Sequence, residues 1–156
     1  MIETDLAARI PKRATRGSAG YDIYVIDDVV IEPGKYIDID TGVAFTDKEC
    51  ITMMDYIYQE ENKEGKKSVL IPLHWVGLVL PRSSLGFKYG LRFANTVCVI
   101  DQDYRDTIRL NVTVDNTLNL VKGDRIAQIV FVPWLIYGGE IVPEDLRGGG
   151  IGSTGN

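Results

Sequence analysis

The chain has 156 residues, of which 45% are hydrophobic and 25% charged, enough for one domain with a real core and too few for two. Its net charge of −5 argues against a general nucleic-acid partner, because duplex affinity comes from Lys and Arg neutralising phosphates. No basic flank leads into an apolar stretch at the N-terminus, and the most apolar run, 126–136, is interrupted by Gln128 and Pro133; a signal peptide, a membrane span and a membrane partner are therefore not expected, and the expected compartment is the cytoplasm.

In chain order, Ala19-Gly20-Tyr21-Asp22 is a short polar and aromatic segment with little meaning alone. Val29-Val30-Ile31 runs into Glu32-Pro33-Gly34-Lys35, with Pro and Gly where a tight turn wants them, and Tyr36, Ile37 and Ile39 begin another strand. That pattern predicts a hairpin. Ile51 to Tyr58 and Ser68 to Leu73 are strand-like arms around a charged tip, Gln59 to Lys67, and predict a protruding hairpin. His74, the only histidine, stands beside Trp75 at its base and reads as structural. Cys50 and Cys98 are far apart in apolar runs and read as small buried thiols rather than metal ligands.

Farther on, Ser84 to Tyr89 is the one plausible helix, with Ser83 as its N-cap. Ile108, Leu110, Val112 and Val114 alternate with polar residues, the period of a half-buried strand. Ile126 to Val132 is nearly all apolar and predicts a strand buried on both faces. Arg147 to Asn156 is glycine-rich with almost nothing to bury, so it predicts a flexible arm, 147–156, after a single β domain, 1–146. Sixteen glycines and short strands between turns predict an all-β barrel or jelly roll.

Five segments carry possible chemistry, and each has a plainer reading. Pro81-Arg82-Ser83-Ser84-Leu85-Gly86 offers a guanidinium and two hydroxyls at a helix start, suited to an anion or simply to a capped helix. Asn95-Thr96-Val97-Cys98-Val99-Ile100-Asp101-Gln102-Asp103-Tyr104-Arg105 places carboxylates after an apolar arm. Such a carboxylate can orient and deprotonate a water, yet Asp also favours turns. Lys122 to Gln128 is a turn entering a strand, and Gln128 needs a polar partner there. The glycine-rich tail fits either a phosphate-cradling loop or a mobile terminus.

Taken together, in this order and spacing, the five segments resemble the five motifs of the homotrimeric dUTP pyrophosphatases (dUTPases), from about Ser18 to the C-terminus. The resemblance implies a jelly-roll (β-clip) trimer with three sites at subunit interfaces, each closed by a neighbour's C-terminal arm. It also implies cleavage of dUTP to dUMP and pyrophosphate, which keeps uracil out of DNA and supplies dUMP. Asp101 would orient the water that attacks the α-phosphorus, and Tyr104 would pack under the deoxyribose. Asn95 and the backbone of Cys98, Val99 and Ile100 would read the uracil edge. Arg82, Ser83, the Ser84 N–H and Gln128 would hold phosphates, with Mg²⁺ bound by Asp22 through water. Arg147, Ser153 and Thr154 would close on the γ-phosphate.

This sequence departs from the family pattern at several points. Ser84 and Cys98 stand where Gly is usual, and Asp106-Thr107 replaces the usual pair after the third motif's Arg. In the fifth motif Ile151 follows Arg147 by four residues, where an aromatic usually follows by five and stacks on uracil; base–aromatic stacking is worth roughly 1–3 kcal/mol. The 51–73 hairpin is longer than the usual turn and reads as a tolerated insertion or a surface for a protein partner. The rival in the same superfamily is dCTP deaminase, which needs a general-base Glu where this chain has Asn111. A second rival, from another class, is a regulatory protein that uses the barrel to present its hairpin.

Overall fold

The computed structural model describes residues 2–4, 8–45, 56–62, 65–71 and 74–134. In chain order the strands are β1 (Ile2–Thr4), β2 (Lys12–Arg13), β3 (Tyr21–Tyr24), β4 (Val29–Ile31), β5 (Ile37–Asp40), β6 (Val43–Phe45), β7 (Tyr56–Asn62), β8 (Gly65–Ile71) and β9 (His74–Pro81). The helix α1 (Ser83–Tyr89) follows, then β10 (Arg92–Phe93), β11 (Cys98–Ile100), β12 (Arg109–Thr113), β13 (Leu118–Leu120) and β14 (Arg125–Trp134). Among the described residues no helix is long and apolar enough to cross a membrane.

All pairings are antiparallel. A five-stranded sheet runs β11-β9-β14-β3-β2 and a three-stranded sheet runs β10-β12-β5, with the pairs β1-β6, β13-β4 and β7-β8 besides. The fold is all-β and of the jelly-roll kind. Period-2 alternation places one side of each strand inward: Trp75, Val79, Ile129 and Ile23 from the large sheet meet Leu110, Val112, Phe93 and Ile39 from the small one in a single core. At one end of this core Phe45, Trp75 and Phe131 form an edge-to-face triad with ring centroids 5.2–5.7 Å apart, the arrangement that ring quadrupoles favour.

The alternation at 108–114 is realised, with Ile108, Leu110, Val112 and Val114 all buried. The hairpin predicted at Val29 to Ile39 is corrected. Its turn forms, with Gly34 at φ 76°, but β4 pairs with β13 and β5 with β12. The chain crosses between sheets at this turn, a choice made by distant strands rather than by local turn chemistry. Ile126 to Val132 is also more one-sided than predicted. β14 is central, between β9 and β3. Its inward residues Ala127 and Ile129 are buried, whereas Gln128, Val130 and Val132 on the other face are only half-buried.

The insertion does form a two-stranded ribbon. β7 and β8 pair over their whole lengths, from Tyr56 with Ile71 to Asn62 with Gly65, and with no other strand among the described residues. The arms therefore run farther toward the tip than the charge pattern predicted. The helix begins at Ser83, one residue early, and its N-cap is Arg82, without a side-chain capping bond. The Arg82 carbonyl accepts the first helical N–H groups, from Leu85 and Gly86, so Ser83 already lies inside the helix. Gly90 ends the helix in the left-handed conformation that glycine adopts without penalty.

Candidate active site

Antiparallel register brings three of the sequence-predicted segments into one row. On the outer face of the large sheet, Asp22 on β3 lies opposite Gln128 on β14, which lies opposite Leu80 on β9. Residues directly opposite share a face, so the first and fourth motifs point the same way from neighbouring strands. The chain then turns from β9 into α1 and delivers Arg82. Its Nε lies 3.5 Å from Asp22 Oδ1, and Arg125 Nη1 lies 3.1 Å from Asp22 Oδ2. A shallow pocket lined by Leu80, Pro81, Arg82, Ser83, Phe87 and Gln128 opens beside this pair.

Gly20 explains how the first and fourth motifs come so close. A Cβ there would lie 3.2 Å from both Cβ and Cδ of Gln128 and closer still to its Oε1. Only glycine leaves room for the Gln128 amide beside the strand. Arg125 is the residue that sequence reasoning missed. It stood in the fourth motif, but nothing in its neighbourhood showed that its partner would be Asp22, 103 positions away.

The third motif is built elsewhere. Asn95 stands in the loop between β10 and β11, where Thr96 has φ 62°, a strained conformation for a β-branched residue and a mark of functional backbone geometry. The Asn95 side chain hydrogen-bonds the Cys98 thiol, but burial outweighs it and pushes the thiol above its ordinary pKa. Val99 is 56% exposed and Ile100 is buried. Asp101 is exposed at the end of β11. Its carbonyl accepts the Tyr104 N–H at 3.1 Å, closing a turn that Arg105 clamps by donating to the carbonyls of Gln102 and Tyr104. Tyr104 is buried, and its hydroxyl donates to the Thr107 carbonyl at 2.9 Å.

The register also separates the two halves of the chemistry. Ile100 faces Gly77, so Asp101 falls beside Val76, six residues before Arg82 on the same strand path. At about 3.4 Å per residue that is about 20 Å, longer than a triphosphate chain. Within one chain Asp22, Arg82, Ser83, Ser84 and Gln128 gather at one end of the sheet, and Asp101 with Tyr104 lies toward the other. Arg147, Ile151, Ser153 and Thr154 lie outside the described residues, as do Cys50 and residues 51–55, 63–64 and 72–73 of the hairpin. His74 stacks on Trp134 with ring centroids 4.7 Å apart, a packing arrangement away from the row.

The dUTPase family profile matches residues 7–54 and 65–155. The chain belongs to the dUTPase family. The unmatched stretch, 55–64, takes in β7, so that arm of the ribbon falls outside the family match while β8 lies within it. Two curated relatives are each named deoxyuridine 5'-triphosphate nucleotidohydrolase. That of Desulfitobacterium hafniense is 37% identical, covering 99% of this chain and 92% of its own. That of Corynebacterium glutamicum is 34% identical, covering 99% and 93%. Among solved structures, the dUTPase from Streptococcus mutans is 27% identical and superposes with a TM-score of 0.63, over 88% of this chain and 98% of that one. The family match extends through residue 155, so the glycine-rich tail is included in it.

Proposed function

We infer that this chain hydrolyses dUTP to dUMP and pyrophosphate, with Asp101 orienting and deprotonating the water that attacks the α-phosphorus. The observation that carries the reading is the row in which Asp22 faces Gln128 while Arg82 and Arg125 close on Asp22. It is a cationic, amide-bearing surface in a chain of the dUTPase family. Asp22 holds Arg82 in place, so that its remaining N–H donors can turn toward phosphate oxygens, with Gln128 and the hydroxyls of Ser83 and Ser84 beside it. Tyr104 supports the sugar, and Asn95 with the backbone of Cys98 to Ile100 reads the uracil edge.

The donor set fits Mg²⁺ of the kind that arrives with a nucleotide. Among the described residues no cluster of three or more His, Cys, Asp or Glu could hold a metal. A hard cation carried mainly by phosphate and water oxygens needs only one or two protein carboxylates, and Asp22 is the carboxylate in reach. When bound, Mg²⁺ offsets phosphate charge. Arg82 and Arg125 supply the protein's own share of that charge.

A homotrimer with shared sites is supported by the distance between Asp101 and Arg82. It is also supported by the outer face of the large sheet. Val99, Leu78 and Val130 face one another in register, and Val132 faces Val76. This apolar surface is the kind that marks a protein contact. A second copy laid across it would bring its own Asp101 toward the phosphate row, and a neighbour's 147–156 arm would then close over the pocket.

The deaminase reading is disfavoured, because Asn111 on β12 is an amide facing Asp38 and cannot take up and return a proton. The decisive assay is pyrophosphate release from dUTP, run beside ammonia release from dCTP. Wild type should give the first and not the second, and Asp101→Asn should slow the first by about 10² to 10⁴. Ammonia without pyrophosphate would overturn the reading.

A further inference from the structure

The stretch that carries Asp101 and Tyr104 is also where the chain leaves one sheet for the other. β11 belongs to the large sheet and β12 to the small one, so residues 101–108 cross between them while presenting the carboxylate of Asp101. The far end of this crossing is docked on the corner between β5 and β6. The Ile108 N–H donates to the Val43 carbonyl at 2.8 Å, and the Ile108 carbonyl accepts the Thr41 N–H at 3.1 Å and the Thr41 hydroxyl at 2.8 Å. One residue earlier, the Thr107 hydroxyl donates to Asp40 Oδ2 at 3.0 Å. The other Asp40 oxygen accepts the Gly42 N–H at 2.8 Å. That bond closes a turn in which Gly42 has φ 64°, a left-handed conformation that glycine adopts readily.

Two features make Thr107 more than a loop residue. Its hydroxyl is held by Asp40, while its carbonyl accepts the Tyr104 hydroxyl at 2.9 Å. Asp40, Thr107 and Tyr104 therefore form one hydrogen-bonded chain from β5 to a buried ring, and the Tyr104 N–H donates in turn to the Asp101 carbonyl. The second feature is the stiffness of the anchor. The Gly42 turn fixes one Asp40 oxygen, and Arg109 on the neighbouring strand spans Asp38 and Asp40 at 3.0 Å and 3.5 Å. A charged acceptor held on both oxygens makes the stronger kind of hydrogen bond and allows its donor little freedom. Thr107 also belongs to the Asp106-Thr107 pair with which this sequence departs from the family pattern, so the brace is built from this chain's own residues.

We propose that Asp40 and Thr107 are positioning residues for the hydrolysis: they set the height of the Tyr104 ring under the sugar and, through the Tyr104 N–H, the place of Asp101. The roles of Asp101 and Tyr104 rest on the function inferred above; the brace itself rests on the hydrogen bonds. Without the Thr107 hydroxyl, the Thr107 peptide can turn, and the Tyr104 hydroxyl moves with its carbonyl. A ring that shifts no longer bars the 2′-hydroxyl of a ribose, and a water held by Asp101 leaves its line to the α-phosphorus. Contacts to uracil and phosphates come from other segments and stay in place.

The test compares wild type with Thr107→Val, Thr107→Ser, Tyr104→Phe and the double variant Thr107→Val, Tyr104→Phe. Valine keeps the branched shape and removes the hydroxyl. In Thr107→Val, kcat for dUTP should fall about tenfold, as expected of a displaced reacting group, while KM changes by less than about twofold because ground-state contacts persist. The kcat/KM for UTP relative to dUTP should rise about tenfold. Thr107→Ser should restore both. Tyr104→Phe cuts the same chain one bond farther on, so its sugar preference should shift the same way, and the double variant should shift no further. Hydrogen exchange of the Tyr104 amide reads the brace without turnover and should quicken about tenfold in Thr107→Val, the scale of one lost hydrogen bond to a charged group. Unchanged exchange or unchanged sugar preference in Thr107→Val, or equal effects of valine and serine, would overturn the proposal. A wild type that releases no pyrophosphate, with exchange still quickened in Thr107→Val, would refute the hydrolase reading and leave the brace standing.

Discussion

Gly20 offers a sharp test of how the site is assembled, because the perturbation is a single methyl group. In Gly20→Ala the new Cβ would lie 3.2 Å from Gln128 Cβ and Cδ and inside contact distance of Oε1. The amide end can rotate away, but Gln128 Cβ is fixed to β14, which is paired on both sides. The strands must separate by a few tenths of an ångström, and the amide must leave the phosphate row. Overpacking of this kind typically costs about 1–3 kcal/mol, and for a chain of this size each kcal/mol lowers Tm by roughly 2–4 °C. Removing Gln128 from the phosphates forfeits a hydrogen bond to a charged group, worth about 1.5–3 kcal/mol, so KM for dUTP should rise at least about tenfold. Scanning calorimetry at fixed protein concentration and steady-state pyrophosphate release read the two effects separately. The double variant Gly20→Ala, Gln128→Ala removes the Cδ and Oε1 contacts but keeps the Cβ one, so it should recover only part of the stability lost in Gly20→Ala and none of the KM. If Gly20→Ala matched wild type in both Tm and KM, or the two substitutions proved additive in stability, the close approach of Gly20 to Gln128 would not be what builds this row.

Three further outcomes are expected. Phe45→Ala, at the centre of the aromatic triad and 1% exposed, should cost about 3–5 kcal/mol in denaturant unfolding; a loss below about 1 kcal/mol would place Phe45 outside the core. Burial raises the Cys98 thiol, so its alkylation should need a higher pH than a free cysteine does, and Asn95→Ala should move that midpoint higher still. The unfolded chain releases this proton first, at about pH 8.5, so the associated stability is full below that pH and is lost as pH rises toward the folded-state value. A flat alkylation comparison between Asn95→Ala and wild type would contradict the Asn95 contact. Ile151→Phe should lower KM for dUTP by about tenfold if an aromatic lid is what the arm lacks, given the roughly 1–3 kcal/mol of base stacking; unchanged KM would show that the shortened spacing after Arg147 matters more than the side chain.

Much of this protein is legible in its residues alone. Alternation at 108–114 placed a strand and named its buried side correctly, because side-chain direction along a strand repeats every two residues wherever the strand ends up. Pro33 and Gly34 located a turn, since those residues restrict or permit particular backbone angles locally. The reading of Ser84 to Tyr89 placed the helix to within one residue, and the order of the motifs pointed to the family without any tertiary information. Strand partners were not legible. The turn after Ile31 was real, yet β4 and β5 went to different sheets, because pairing is decided by packing between segments tens of residues apart. For the same reason no local signal joined Arg125 to Asp22, Gln128 to Gly20 or Thr107 to Asp40. The residue types were sufficient to say that phosphate chemistry was present. Only the antiparallel register could line Asp22 and Gln128 across adjacent strands while leaving Asp101 about 20 Å away, because register is where chain neighbours and spatial neighbours part company.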